Sequence, residues 1–101
     1  MKFINLTPHT VCLNNGTQYP VSGNIARVAA SFKESGDNFY TQTFGEVENL
    51  PAPVKNVYYI VSAMVFAATD RKDVVAPATG HPECVRNEKG QIVSVPGFVT
   101  R

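Results

Sequence analysis

Two histidines and two cysteines recur at the same spacing in distant parts of the chain. His9 and Cys12 form one His-x-x-Cys pair, and His81 and Cys84 form a second. Two such pairs could supply the nitrogen and sulfur ligands of a tetrahedral zinc site. However, structural zinc sites usually use Cys-x-x-Cys pairs, and Cys12 lies in an alternating apolar segment where a buried thiol acts as a small hydrophobe. We therefore expect no metal site and two free thiols.

Carboxylates and cysteines offer two further catalytic options. Asp70 with Asp73, and Glu46 with Glu48, could place two acids together for hydrolysis or for binding Mg²⁺. A nucleophile could pair the cysteine of one His-x-x-Cys segment with the histidine of the other, but no third residue is placed to orient that histidine. Phosphate-binding glycine loops, dinucleotide fingerprints and nucleophile elbows are missing from the sequence. The chain is therefore predicted to be neither an enzyme nor a protein that needs a cofactor.

Cations near element ends favour the binding of a small anionic ligand instead. An arginine fork matches phosphate oxygens best when a strand holds it rigidly. The first 33 residues contain three bases and no acid, so no local carboxylate neutralises their charge. Asp73 could accept a hydrogen bond from a ribose hydroxyl or an adenine amino group. We predict a ligand site formed by Thr7, His9, Arg27, Arg71, Lys72 and Asp73.

This site has competing interpretations. The arginines could be ordinary surface residues, and Asp73 could form a surface ion pair with Arg71 or Arg27, which would contribute only about 0–1 kcal/mol. Arg86 also stands at an element end. Aromatic residues could stack on a base, although most must also fill the core; they are Tyr40, Phe44, Tyr58, Tyr59 and Phe66.

Composition limits the class of protein. The chain has 101 residues, 44% of them hydrophobic and 17% charged, which is typical of one globular domain over residues 1–101. A net charge of +1 argues against binding a nucleic acid polymer, which needs a clear cationic excess. The longest apolar stretch, residues 57–68, is too short to span a bilayer, and we see no secretory signal. We expect a cytoplasmic protein with no membrane partner.

The chain is predicted to be mostly β (α+β), as a small curved antiparallel sheet or barrel with one short helix near residues 62–69. Residues 25–33 alternate, and their more apolar face, formed by Ala26, Val28, Ala30 and Phe32, is predicted to face the core. With residues 39–47 this segment should form a hairpin. Further hairpins are predicted around residues 14–18 and 87–90. Because helices are few, we expect no layered fold with parallel strands.

Eight segments of the sequence resemble a family of small proteins encoded by tailed phages and prophages. The resemblance covers nearly the whole chain, in the order INLTPHTV (4–11), PVSG (20–23), ARV (26–28), FGEV (44–47), LPAP (50–53), YIVS (59–62), RKDVVAP (71–77) and VRNEKGQI (85–92). In size, expected cytosolic location and lack of a catalytic constellation, the family is similar to phage counter-defence sponges, which sequester a nucleotide-derived immune signal of the host.

The resemblance implies a phage-encoded, non-enzymatic protein in the cytoplasm of the infected bacterial host. Its ligand would be of the cyclic nucleotide or cyclic ADP-ribose type. A small domain has little internal room for such a ligand, so a homo-oligomer with sites at its interfaces is expected. Two alternatives stay open at this point: a phage structural or host-protein interaction module, and a small metal-dependent nucleotide hydrolase.

Overall fold

Ten strands and one helix make up the computed structural model, which describes residues 2–101 apart from the side chain of Phe44. Met1 and the Phe44 ring, one of the aromatic planes proposed above, lie outside this description. The elements are β1 (Lys2–Asn5), β2 (Val11–Cys12), β3 (Gln18–Tyr19), β4 (Arg27–Gly36), β5 (Phe39–Glu48), β6 (Val57–Ile60), α1 (Ala63–Ala68), β7 (Val74–Pro77), β8 (Val85–Arg86), β9 (Ile92–Ser94) and β10 (Phe98–Val99).

The central sheet has four strands in the order β1-β6-β7-β10. The first three run parallel, and β10 pairs antiparallel with β7. The remaining strands form three separate antiparallel hairpins, β2–β3, β4–β5 and β8–β9. Since β6 and β7 are parallel neighbours, α1 is the crossover between them.

Both faces of the central sheet are buried. Tyr59, Val61 and Val74 pack on one face, together with Leu6, Ala26 and the α1 residue Val65. Ile60 and Val75 pack on the other face with Val11 and Val95. Full burial of side chains of this size stabilises the fold by about 1.5–3 kcal/mol each. A strand buried on both faces has no polar side, which explains the continuous apolar run of residues 57–61.

The helix begins where the sequence predicts it. The Ser62 hydroxyl accepts a hydrogen bond from the Val65 N–H at 3.3 Å, which satisfies one of the unpaired donors of the first turn. Val65 is the buried residue of the helix, whereas Met64 is exposed. The helix thus covers the sheet with one narrow face.

The hairpin β4–β5 leaves the body of the protein soon after it begins. Val28 and Val47, which are opposite each other, pack against the first core cluster. We call the part beyond them, residues 29–46, the arm; all its described side chains are exposed. The arm makes the molecule elongated, with extents of 49 × 39 × 25 Å and a radius of gyration of 15.4 Å, against about 13 Å for a compact chain of this length.

The structure confirms the mostly β fold with one short helix, and the three predicted hairpins form. No closed barrel is found over residues 2–101. Two expectations were wrong in detail. The central sheet contains parallel strands, because hairpins as well as the single helix cover its faces. Of the predicted core face, Ala26, just before β4, and Val28 join the core, but Ala30 and Phe32 are exposed because no described part of the chain buries the arm.

Candidate functional site

A buried asparagine at the end of β1 shapes the turn that follows it. The Asn5 amide Nδ2 donates to the backbone oxygens of His9 and Tyr19, both at 2.8 Å. Its Oδ1 accepts from the Thr7 N–H at 2.9 Å and lies 2.6 Å from the Thr7 hydroxyl. A buried amide is tolerated when its donors and acceptors are satisfied, as they are here. Asn5 therefore holds the turn of residues 6–9 against β3.

The predicted ligand residues Thr7 and His9 have different surroundings in this turn. The Thr7 hydroxyl lies between Asn5 Oδ1 and the His9 carbonyl oxygen, at 2.6 and 2.8 Å. A hydroxyl has one proton, so it donates to one of these oxygens at a time. Thr7 is buried and maintains the turn, whereas the His9 side chain is exposed. His9 is therefore the residue of this pair that can reach a ligand.

This turn lines a groove that has a volume of about 860 Å³. That volume is within the usual range for small-molecule sites, roughly 300–1,000 Å³. The hairpin β8–β9, the beginning of α1 and the end of β7 also line it. The lining residues are 7–12, Ser62, Ala63, Pro77, Thr79, Arg86 and 90–95.

Arg86 carries the positive charge of the groove. Its Nη1 donates to the Gly90 carbonyl and its Nη2 to the Thr79 carbonyl, both at 3.1 Å. These two bonds fix the guanidinium against backbone atoms, so little side-chain freedom is left to lose on binding. Within residues 2–101, Arg86 forms no ion pair, and the groove lining contains neither Asp nor Glu. The groove thus offers a positioned cation beside apolar and hydroxyl groups, an arrangement suited to an anionic organic ligand.

Arg71 and Asp73, two other predicted ligand residues, bind each other. Arg71 Nε and Nη2 donate to the two carboxylate oxygens of Asp73, at 2.9 and 2.6 Å, and Nη1 donates to the Pro51 carbonyl at 2.8 Å. The hydrogen bonds from Arg71 hold the pKa of Asp73 below its ordinary value, against the opposing effect of partial burial. The same hydrogen bonds raise the pKa of Arg71. The pair thereby attaches the segment around Pro51 to the start of β7. An Arg71–Asp73 ion pair is the competing interpretation of these two residues in the sequence.

The other predicted residues lie apart from the groove. Lys72 is exposed and lines two smaller hollows of about 290 and 360 Å³, the second of which also includes Tyr58, Phe98 and Arg101. Arg27 is exposed at the base of the arm and lines none of these three cavities. The structure therefore brings Thr7 and His9 together in one place and Arg71, Lys72 and Asp73 in another, with Arg27 in neither.

Sequence reasoning left Arg86 and the strand β9 out of the predicted site. Long-range pairing brings the end of β9 next to β2, the strand that follows the Thr7–His9 turn. Val95, directly after β9, donates its N–H to the Cys12 carbonyl at 2.9 Å and accepts from the Asn14 N–H at 2.8 Å. The only local signal was the position of Arg86 next to a glycine-containing turn.

The two His-x-x-Cys segments show no metal-binding arrangement. Both cysteines are free and partly exposed, and Cys84 packs against the second core cluster. His81 Nδ1 accepts a hydrogen bond from the Glu83 N–H at 3.0 Å. In the part of the chain that the structure describes, no group of three or more His, Cys, Asp or Glu residues could hold a metal ion.

Comparison with known protein families, curated protein sequences and solved structures gave no match to this chain. Among residues 2–101, no helix has the length and apolar character needed to cross a membrane.

Proposed function

We propose that this chain is a non-enzymatic binding protein that sequesters a small nucleotide-derived anion in the groove between the Thr7–His9 turn and the hairpin β8–β9. The observation that carries the proposal is the guanidinium of Arg86. Two carbonyl oxygens position it, and no acid of the groove neutralises it. His9 lines the same groove and offers a second polar contact. Apolar residues such as Ile92 and Val93 offer a surface for a base or ribose.

The resemblance to small phage proteins gives this binding activity a biological role. The ligand would be a cyclic nucleotide or a cyclic ADP-ribose type signal, made by the infected host as part of its antiphage defence. Sequestration in the bacterial cytoplasm would lower the free concentration of that signal. A protein with this role needs high affinity and no turnover, and we infer that it acts as a homo-oligomer.

A capture experiment tests the proposal. Purified protein is mixed with each of several cyclic dinucleotides and with cyclic ADP-ribose, separated from unbound ligand, and heat-denatured. Mass spectrometry of the released material should show the intact ligand. Release of a cleaved product would identify a hydrolase instead, and retention of none of these ligands would overturn the proposal.

Variants of one turn locate the site. We expect Arg86→Ala to weaken capture by about 10- to 150-fold, because a hydrogen bond to a charged group contributes about 1.5–3 kcal/mol. Lys89→Ala is the matched control, since Lys89 belongs to the same turn but does not line the groove. Equal capture by the wild type and a folded Arg86→Ala variant would exclude the groove.

A phage structural or host-protein interaction module is the second candidate, and the exposed arm is the observation that favours it. Both strands of the arm have an unpaired edge over residues 2–101, and exposed strand edges can add a strand from another protein. Pull-down of one discrete host protein, with no nucleotide retained, would favour this candidate.

A further inference from the structure

The arm has one apolar face and one polar face. Opposite residues of an antiparallel pair share a face, and the faces alternate along each strand. The pairs Phe32–Gln42 and Glu34–Tyr40 lie on the same face as Ala30, which is two residues along β4 from the core residue Val28. The register shifts between Val28 and Ala30 because β5 has one extra residue there, so the alternation is followed along β4. The opposite face carries the pairs Ser31–Thr43 and Lys33–Thr41, and the Ser31 and Thr43 hydroxyls are 2.7 Å apart. This face of β4 thus extends beyond the body, and its described side chains are exposed there.

The uncovered apolar area is large for so small a structure. Phe32, Phe39 at the tip and Tyr40 are 66%, 71% and 65% exposed. Aromatic side chains bury about 150–250 Å² each, so these three rings together present roughly 300–500 Å² per chain. A two-stranded hairpin without a covering layer is marginally stable in water at best. These rings are therefore suited to burial against another molecule.

Net charge indicates whether the arm or the body of a second copy would cover the arm. Residues 29–46 carry one base and three acids, a net charge of −2, whereas the rest of the chain carries eight bases and five acids, a net charge of +3. Glu34 lies on the apolar face and Asp37 in the tip turn. Two arms in contact would bring like charges together, but an arm on the body of a second copy would join opposite charges.

We propose that the arm binds the body of a second copy of this chain, with Phe32 and Tyr40 as its apolar anchors and Glu34 and Asp37 facing basic residues. A reciprocal exchange of two arms would bury both sets of rings and a comparable area of each body. The total would be on the order of 1,200–2,000 Å², the usual size of a stable interface. The proposal deepens the homo-oligomer of the proposed function and gives it a contact surface.

Sedimentation velocity at micromolar protein concentrations tests whether the arm joins two copies of the chain. The wild type should sediment as a species larger than the 11.0 kDa chain. Phe32→Ser/Tyr40→Ser should weaken association by at least about 30-fold, as loss of an anchor residue does in other interfaces. The control Thr41→Ser/Thr43→Ser changes the polar face of the same hairpin and should associate like the wild type. Wild type that stays at 11.0 kDa, or an anchor variant that associates normally, would overturn the proposal.

Two further variants keep the result interpretable. If the anchor variant fails to fold, as judged by circular dichroism, replacement of residues 31–43 by an Asn-Gly turn removes the exposed rings and leaves Val28 and Val47 in place. Glu34→Gln/Asp37→Asn should weaken association about fivefold at low salt if the arm meets the body. If the arms met each other, the same neutralisation would strengthen association and would contradict the proposal.

Ligand capture by the same samples separates this inference from the proposed function. The groove lies within one chain, so a monomeric arm variant that still retains a nucleotide confirms both. A wild-type oligomer that depends on the arm but captures no ligand would support the arm contact and contradict the proposed function.

Discussion

The strands β6 and β4 have equally clear strand patterns, but their surroundings in the folded chain are opposite. Ile60 of β6 is fully buried between two layers, whereas Phe32 of β4 is 66% exposed. An alternating or apolar pattern indicates that a segment is extended and which of its faces is apolar. It does not indicate which segment will cover that face, or whether the covering segment belongs to the same chain.

The arginines show the same contrast between body and arm. Arg71 and Arg86 are both fixed by partners in the body, the first by Asp73 and the second by two carbonyl oxygens. Arg27, at the base of the arm, is opposite Glu48 in the strand register, yet Arg71–Asp73 is the ion pair found over residues 2–101. Only an arginine that is positioned and not neutralised is well prepared for an anion, and Arg86 meets both conditions.

The largest difference between body and arm is expected in the free energy of unfolding that is lost when an apolar side chain is truncated. Ile60→Ala should lower the free energy of unfolding by about 2–5 kcal/mol, because it removes a fully buried side chain and leaves a cavity. Phe32→Ala, measured by urea unfolding at a protein concentration where the chain is monomeric, should change it by less than about 0.5 kcal/mol. Similar losses for both variants would show that the arm packs against its own body.

Removal of hydrogen bonds should also lower the free energy of unfolding more in the body than in the arm, but the difference should be smaller than for apolar side chains. Asn5→Ala should cost about 2–4 kcal/mol of unfolding free energy, because the Thr7 N–H and the His9 and Tyr19 carbonyls lose their partner where water has little access. Ser31→Ala on the exposed arm should cost less than about 0.5 kcal/mol, since water replaces the lost contact. A small effect of Asn5→Ala would mean that the turn does not depend on this amide.

The smallest expected effect is the pH-dependent contribution of the Arg71–Asp73 pair to the free energy of unfolding. Because folding lowers the pKa of Asp73, its stabilising contribution is complete above the ordinary carboxyl pKa of 3.8 and is lost as the pH falls below that value. Asp73→Asn should therefore be less stable than the wild type by about 1 kcal/mol at most near neutral pH, and the difference should shrink in acid.

Glu48→Gln is the control for this pH dependence, because Glu48 makes no ion pair in the described part of the chain. Urea unfolding of both variants and the wild type over a pH series measures the difference. A gap between Asp73→Asn and the wild type that persists unchanged below the carboxyl pKa would contradict an ionic origin.

Local patterns determined much of the fold. The Asn14–Gly16 and Asn87–Gly90 turns, the Ser62 cap and the alternation of residues 25–33 each act over a few residues, so the hairpins and the helix could be predicted from the sequence. Of the site, the sequence identified the Thr7–His9 turn and the possibility of an Arg71–Asp73 pair. The ligand role predicted for all six residues stays a prediction, for Thr7 and His9 as well as for Arg27, Arg71, Lys72 and Asp73. The structure gives Arg71 and Asp73 a stabilising contact.

Only the tertiary structure decided which segments meet. The strands β1, β6 and β7 pair in parallel, although β1 and β6 are more than 50 residues apart in the sequence. The groove likewise depends on a distant contact, the hydrogen bond from the Val95 N–H to the Cys12 carbonyl. Such contacts depend on how all the elements pack together to bury their apolar surfaces. The spacing of residues within one short segment carries no information about that packing. The same reason explains the arm: its sequence specifies an apolar face, but in the fold of one chain the described side chains of that face stay exposed.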